Sequence, residues 1–114
     1  MAHYLISFPS SAMDHVAADD LPSVAESARA VIREAKAAGV YVFGGGIDEN
    51  VPPVLVAGDG TVRQGAYPET NGLDGGFCVL DVPTRREAEA WAAKIAAGCR
   101  CAQELRPFMF DPES

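Results

Sequence analysis

Apolar and polar positions alternate along the chain with periods that predict two helices. In residues 21–35, apolar side chains recur every three or four positions and form one stripe, and the charged residues lie largely off it. Gly39 is a natural end for this helix, because glycine accepts the left-handed conformation at a helix terminus. Its start has two candidate signals, a capping box of Ser23 with Glu26 or a cap at Asp20.

The second predicted helix follows Pro83 and Thr84. Thr84 and Glu87 have the spacing of a capping box, in which a hydroxyl accepts a hydrogen bond from the backbone three residues further on. Gly98 is the predicted end of this helix. The stripe predicted to be buried consists of Ala88, Trp91, Ala92, Ile95 and Ala96.

Short runs rich in β-branched and aromatic residues predict the strands. These runs cover residues 3–8, 40–43, 54–57, 61–63, 77–82 and 101–108. Gly58, Asp59 and Gly60 form a tight turn that joins two of the runs into a hairpin. Strands flank both helices and the hairpin lies between them, an order that predicts an α+β, ferredoxin-like βαββαβ fold with an inserted hairpin.

The predicted sheet carries more apolar surface than its helices cover. Two helices cover only one face of such a sheet, yet Leu5, Phe77, Val79 and the last strand offer apolar side chains to both faces. A homodimer that packs sheet against sheet would cover the second face and form a pocket between the sheets. The predicted partners are therefore a second copy of the chain and a small organic ligand.

Composition and charge limit the possible functions. The 114 residues are 48% hydrophobic and 22% charged, so we expect one folded domain over residues 1–114. The formal net charge of −7 argues against nucleic acid and against anionic membrane surfaces, both of which attract Lys and Arg. The sequence contains neither a signal-peptide pattern nor an apolar run of about 20 residues, and we expect a cytoplasmic protein.

Three cysteines, Cys78, Cys99 and Cys101, fit that compartment. An odd number is a poor basis for disulfide pairing. Cys99 and Cys101 are predicted to point to one face of a strand and could ligate a metal, but no second pair completes a tetrahedral site. We therefore expect buried, unreactive thiols and neither a metal nor a cofactor.

A run of three glycines, Gly44, Gly45 and Gly46, follows the second predicted strand. A phosphate-binding loop requires a following Lys and a helix N-terminus, whereas here Asp48, Glu49 and two prolines follow. The run therefore indicates a bulge or a close approach of the backbone where the strand bends.

Several motifs occur in a fixed order along the chain. They are Asp-Gly-Thr-Val-Arg at residues 59–63, Gly-Ala-Tyr-Pro-Glu-Thr at 65–70, Leu-Asp-Gly-Gly-Phe at 73–77, Glu-Ala-Glu-Ala-Trp-Ala at 87–92 and Glu-Leu-Arg-Pro-Phe at 104–108. Together they resemble the YCII-related, DGPF-type domain family. This resemblance implies a dimeric α/β barrel built from ferredoxin-like subunits. Most members have no assigned reaction, although some relatives look like lyase or dehalogenase-type enzymes with a His/Asp pair.

His15 and Glu69 are the candidate catalytic residues. His15 lies in the loop before the first helix, where Asp19 or Asp20 could orient its imidazole for proton transfer; the plainer alternative is a solvated loop residue. Glu69 keeps the family motif and could be either a pocket carboxylate or an acceptor for the N–H groups of its own loop. Gln64 stands where the motif has Asp, and a neutral amide cannot act as a general base.

The candidate ligand contacts are His3, Arg63, Gln64 and Tyr67. His3 could face the pocket from its strand, and Arg63 could pair with an anionic ligand or with Glu69. Tyr67 could close the pocket with its ring and hydroxyl, and Gln64 could hold a ligand by hydrogen bonds. The plainer alternatives are an edge histidine, a surface ion pair of little weight and a half-buried packing aromatic.

Three functions stay open at the level of sequence. The preferred one is a small homodimeric domain that binds a small organic ligand between the sheet and the partner subunit. The second is a lyase- or isomerase-type enzyme that uses His15 with a nearby carboxylate. The third is a non-catalytic interaction or regulatory module whose apolar sheet face only dimerises.

Overall fold

The computed structural model describes residues 2–114, which contain two α-helices and six β-strands. In chain order the strands are β1 (Ala2–Phe8), β2 (Tyr41–Gly46), β3 (Val54–Val56), β4 (Val62–Gln64), β5 (Gly76–Val82) and β6 (Glu104–Pro107). The helices are α1 (Leu21–Ala37), between β1 and β2, and α2 (Arg85–Cys99), between β5 and β6. The prediction of an α+β chain with two helices is confirmed.

Four of the strands form an antiparallel sheet in the order β2-β5-β1-β6. Each helix connects two strands that are separated by a third, so the two β-α-β units interleave. This arrangement is compatible with a ferredoxin-like fold. β3 and β4 form a separate two-stranded ladder, in which Val54 pairs with Gln64 and Val56 with Val62.

The hydrophobic core lies between the four-stranded sheet and the helices. Because successive strand residues point to opposite faces, Tyr4 and Ile6 of β1 share a face with Cys78, Leu80 and Val82 of β5. The helical side chains buried in the same cluster are Ala35, Ala88, Ala92, Ile95 and Cys99. Ile6, Leu80 and Val82 are at most 1% exposed, and burying such a side chain contributes about 1.5–3 kcal/mol. Both helices therefore lie on one face of the sheet.

α1 begins directly after a 3-10 turn, Ala18–Asp20. Asp20 occupies the N-cap position, but its side chain makes no capping hydrogen bond. The predicted capping box of Ser23 with Glu26 is wrong, because the helix begins earlier and Ser23 lies inside its first turn. The predicted end is confirmed, since Gly39 follows the helix with a φ of +75°.

α2 has the N-terminal cap that the sequence predicts. The Oγ of Thr84 accepts a hydrogen bond from the backbone N–H of Glu87 at 3.2 Å. The helix continues one residue past Gly98, and Arg100, with a φ of 58°, is its left-handed C-cap. A Cβ at Gly98 would lie 3.1 Å from the carbonyl oxygen of Ser27, so glycine allows the two helices to approach closely.

The cysteines are free thiols, but two of them do not share a strand as predicted. Cys99 is the last residue of α2, and β6 begins only at Glu104, beyond Cys101. Cys78 and Cys99 are buried as predicted, and burial raises the pKa of each thiol to about 11. Burial also raises the pKa of the half-buried Cys101. Such thiols stay protonated near neutral pH and are poor nucleophiles.

Candidate functional site

The face of the sheet opposite the helices carries the candidate site. Register places Leu5, Phe43 and Val79 in one row across this open face, and Ser7 and Phe77 in the next. The rings of Phe43 and Phe77 lie 6.3 Å apart between centroids, in a tilted arrangement. Phe43 is 61% exposed, although it belongs to the four-stranded sheet. The open face is thus an apolar surface that is only partly covered.

The first cavity on the open face, the Glu69 cavity, has a volume of about 270 Å³. It lies between the β1–β6 pair and the loop that follows β4, with Leu5 and Ser7 on its sheet side. Its ionisable side chains are Glu69, Glu104 and Arg106. Arg106 Nη2 lies 3.3 Å from Glu104 Oε2, so this guanidinium already has one carboxylate partner. The cavity is therefore lined by two hydroxyl side chains, Ser7 and Thr70, two carboxylates and one cation.

The loop that carries Glu69 is fastened to the end of β1. The carboxylate of Asp74 accepts hydrogen bonds from the backbone N–H of Ser10 at 2.9 Å and from its Oγ at 2.7 Å. The backbone N–H of Ser10 is also the main reason that the pKa of Asp74 lies below its ordinary value. A Cβ at Gly75 would lie only 2.1 Å from the carbonyl oxygen of Phe8, so the loop passes very close to β1.

Glu69 itself lies in a short 3-10 turn, Pro68–Thr70. The Oγ1 of Thr70 donates a hydrogen bond to the carbonyl oxygen of Tyr67 at 2.9 Å and closes this turn. The turn therefore fixes the backbone of the Pro-Glu-Thr segment. Glu69 lines the cavity and is still exposed to solvent. Its carboxylate can accept hydrogen bonds or a proton from a molecule in the cavity.

The second cavity on the open face, the His3 cavity, has a volume of about 430 Å³. His3 of β1 and Asp81 of β5 are direct cross-strand partners, and His3 Nε2 lies 3.9 Å from Asp81 Oδ2. Residues after β6, including Phe108 and Phe110, form the other wall. A carboxylate beside an imidazole can orient the ring. This pair is the one His–carboxylate contact within 4 Å among residues 2–114.

The other predicted site residues lie away from these cavities. His15 is exposed in the segment between two 3-10 turns that precede α1, Ser10–Met13 and Ala18–Asp20. Arg63 and Gln64 are exposed on β4 of the two-stranded ladder, and Tyr67 is 66% exposed. None of these four side chains lines either open-face cavity.

Sequence reasoning missed Asp81, Ser7 and Arg106. Asp81 lies in an apolar run of the sequence. The only local sign of its role is that it is two residues after Val79, which places both side chains on the same face of the strand. Its contact with His3 depends on the pairing register of two distant segments, which periodicity does not reveal.

Two further observations concern cofactors and membranes. Among residues 2–114, no group of three His, Cys, Asp or Glu side chains could hold a metal ion. Neither helix in that range combines the length and the apolar character that a bilayer-spanning segment requires.

Comparison with known proteins identifies the family. The model of the YCII-related domain matches residues 10–108, which cover α1, α2 and most of the sheet. The match begins after His3, so it includes Asp81 and Glu69 but not the histidine. A search among curated proteins finds no match. Because the family model spans well over half of the sequence, this chain belongs to the YCII-related domain family.

Proposed function

We propose that the protein is a homodimer whose two open faces pack together and enclose a cavity for a small organic ligand. The observation that carries this proposal is the one-sided sheet. Both helices bury the same face, while Phe43 on the other face remains 61% exposed. Folded monomers rarely leave a contiguous apolar patch of more than a few hundred Å² open to water.

A two-fold symmetric dimer suits this surface, because the open face of one subunit then covers the open face of the other. The segment after β6 adds apolar area beside it, since Met109 is 92% and Phe110 88% exposed. Burial of such aromatic side chains dominates the energetics of interfaces. An interface of ordinary size buries about 800 Å² on each partner.

The two open-face cavities support the ligand part of the proposal. Both open on the side that a second subunit would cover, and their volumes are about 270 and 430 Å³. Sites for small molecules are mostly apolar with a few well-placed polar groups. Leu5 and Val79 provide the apolar part, while Ser7, Glu69 and Arg106 provide donors and acceptors.

Light scattering coupled to size exclusion tests the dimer. We expect about twice the chain mass of 12.0 kDa. Phe43→Asp should shift the protein to a monomer, because it buries an unpaired charge in the interface. Val51→Asp is the matched control, since Val51 is 66% exposed but lies between β2 and β3. A wild-type monomer at tens of micromolar would contradict the proposal.

Fragment binding observed by ¹H–¹⁵N NMR tests the ligand. A set of small aromatic and alicyclic compounds should include members that shift the amide signals of Ser7, Thr70 and Arg106, which border the Glu69 cavity. Glu69→Gln should weaken the binding of these compounds, whereas Glu49→Gln, in the segment between β2 and β3, should not. A dimer that binds no fragment at these residues would favour the interaction module instead.

A second candidate function is proton-transfer catalysis of the lyase or isomerase type, with His3 in the role first assigned to His15. The distance of 3.9 Å between His3 Nε2 and Asp81 Oδ2, at the wall of a cavity, favours it. Small carbonyl compounds incubated with the protein in D₂O should then exchange their α-protons, as followed by NMR. His3→Gln should abolish the exchange and His15→Gln should leave it intact. Equal rates in both variants would contradict this function.

A further inference from the structure

A third cavity, of about 550 Å³, lies on the helix side of the sheet, away from the open face. It runs between α1 and the edge of the sheet formed by β2, and we call it the α1 groove. Ala25 and Ile32 border it on the helix, Tyr41 and Gly44 on β2, and Cys78 on β5. It is the largest of the three cavities described, and none of the sequence-predicted site residues lines it.

The groove exists because side chains are missing from one end of the sheet. Phe8, Gly76 and Gly46 form one row that faces the helices, and only Phe8 carries a side chain there. Gly44 must be glycine, because a Cβ would lie 2.7 Å from the Cβ of Cys78. Gly46 is different, since a Cβ there would meet only the carbonyl oxygen of Gly75, at 4.0 Å. The space beside Gly46 is therefore open.

The rim of the groove is cationic, although the chain as a whole carries a net charge of −7. Arg29, Arg33 and Lys36 line it, and no Asp or Glu of residues 2–114 does. Glu26 is the carboxylate beside this cluster, with its oxygens 2.6 Å from Arg33 Nη2 and 3.8 Å from Arg29 Nη1. One carboxylate thus faces two guanidinium groups. The Nζ of Lys36 lies 5.2 Å from the centroid of the Tyr41 ring.

We propose that the α1 groove binds a small organic acid, with its apolar body between α1 and β2 and its carboxylate at Arg29, Arg33 and Lys36. The apolar floor matches a hydrocarbon body, and guanidinium groups match a carboxylate in geometry as well as in charge. This site is separate from the cavity of the proposed dimer, because it lies on the opposite face of the sheet. It does not require the dimer to exist.

The direct test is a ¹H–¹⁵N NMR titration with 2-naphthoate and with 2-naphthamide, which has the same shape without the charge. We expect 2-naphthoate to shift the amide signals of Gly44, Gly46 and Gly76, and 2-naphthamide to bind about five-fold more weakly or worse. Signals of Ser7 and Thr70 report the open face and should not move. Shifts confined to the open face, or equal binding of both compounds, would overturn the proposal.

Two pairs of variants locate the site. Gly46→Leu should fill the groove and abolish binding, while Gly58→Leu, in the turn between β3 and β4, should retain it; a Cβ at Gly58 meets no atom within 4 Å, and Gly58 does not line the groove. Arg33→Gln should lower the affinity for 2-naphthoate about five-fold, and Arg86→Gln on α2 should not change it. Unchanged binding in either Gly46→Leu or Arg33→Gln would overturn the proposal. Arg33 and Arg86 are both exposed, so their variants should fold. They therefore still test the proposal if Gly46→Leu fails to fold.

Discussion

The carboxylate of Asp74 illustrates how one residue joins segments that are far apart in sequence. It holds Ser10 by two hydrogen bonds, of 2.9 and 2.7 Å, and so connects the loop before β5 to the turn after β1. The same bonds favour the ionised form and lower the pKa of Asp74. The position of Glu69, which lies in the same loop, depends on this attachment.

Asp74→Asn should lower the thermal midpoint of unfolding, because an amide oxygen cannot accept both bonds as well as a carboxylate does. The pKa of Asp74 is depressed in the folded state, so its contribution is fully present above the unfolded value of about 3.9. It is lost as pH falls through the lower folded pKa. Midpoints of the two proteins should therefore converge between pH 6 and pH 2. A difference that persists at pH 2, or an equal loss in the neighbouring control Asp14→Asn, would refute this role.

Gly75 sets the other constraint on this loop. A methyl group there would lie 2.1 Å from the carbonyl oxygen of Phe8 and 2.8 Å from the carbonyl carbon of Pro9, so the backbone itself would have to move. Gly75→Ala should therefore cost about 1–3 kcal/mol of stability, measured by urea unfolding. Gly72→Ala in the same loop is the control, since its nearest neighbour would be Pro9 Cβ at an ordinary 3.7 Å. Equal stability of the two variants would show that the loop adapts freely.

At the scale of elements, the two helices begin in different ways although the sequence offers each a similar motif. The cap at Thr84 forms, whereas α1 starts earlier than its predicted capping box. Thr84→Ala should cost about 1 kcal/mol in chemical unfolding. Ser23→Ala should be neutral or slightly stabilising, because alanine is the better residue inside a helix. A loss in Ser23→Ala as large as that in Thr84→Ala would mean that α1 begins at the predicted box.

Local patterns predicted most elements, and the failures are those that depend on distant contacts. The stripe around Ile95 and the alternation around Leu80 identify α2 and β5 because burial imposes a period on neighbouring residues. The predicted start of β6 at Cys101 is wrong: the residue is apolar, as a strand residue would be, but it lies in a bend, and the strand begins only at Glu104. The contact of His3 with Asp81 was missed because it follows from strand register. The α1 groove was not predicted because it lies beside glycines, which have no side chains and so add nothing to the hydrophobic pattern of the sequence.

The molecule is less compact than a typical globular domain of the same length. Its radius of gyration is 15.6 Å, and its extents are 43 × 42 × 20 Å. A compact domain of this length would have a radius of about 13 Å. The β3–β4 ladder and the segment after β6 expose large apolar side chains, among them Val56, Val62 and Phe110. The flat shape, the uncovered sheet face and the apolar extensions all support the homodimer proposed above.

Stability should therefore depend on protein concentration. If folded subunits are stabilised by pairing of their open faces, each hundred-fold increase in concentration adds about 2.7 kcal/mol per mole of dimer, or about 1.4 kcal/mol per subunit, to the apparent stability. We expect the thermal midpoint to rise by several degrees between 1 and 100 µM, on the order of what such a free energy produces in a domain of this size. Phe43→Asp should remove this dependence, because its charge opposes burial of the open face. A constant wild-type midpoint over that range would mean that the sheet face is stable in water by itself.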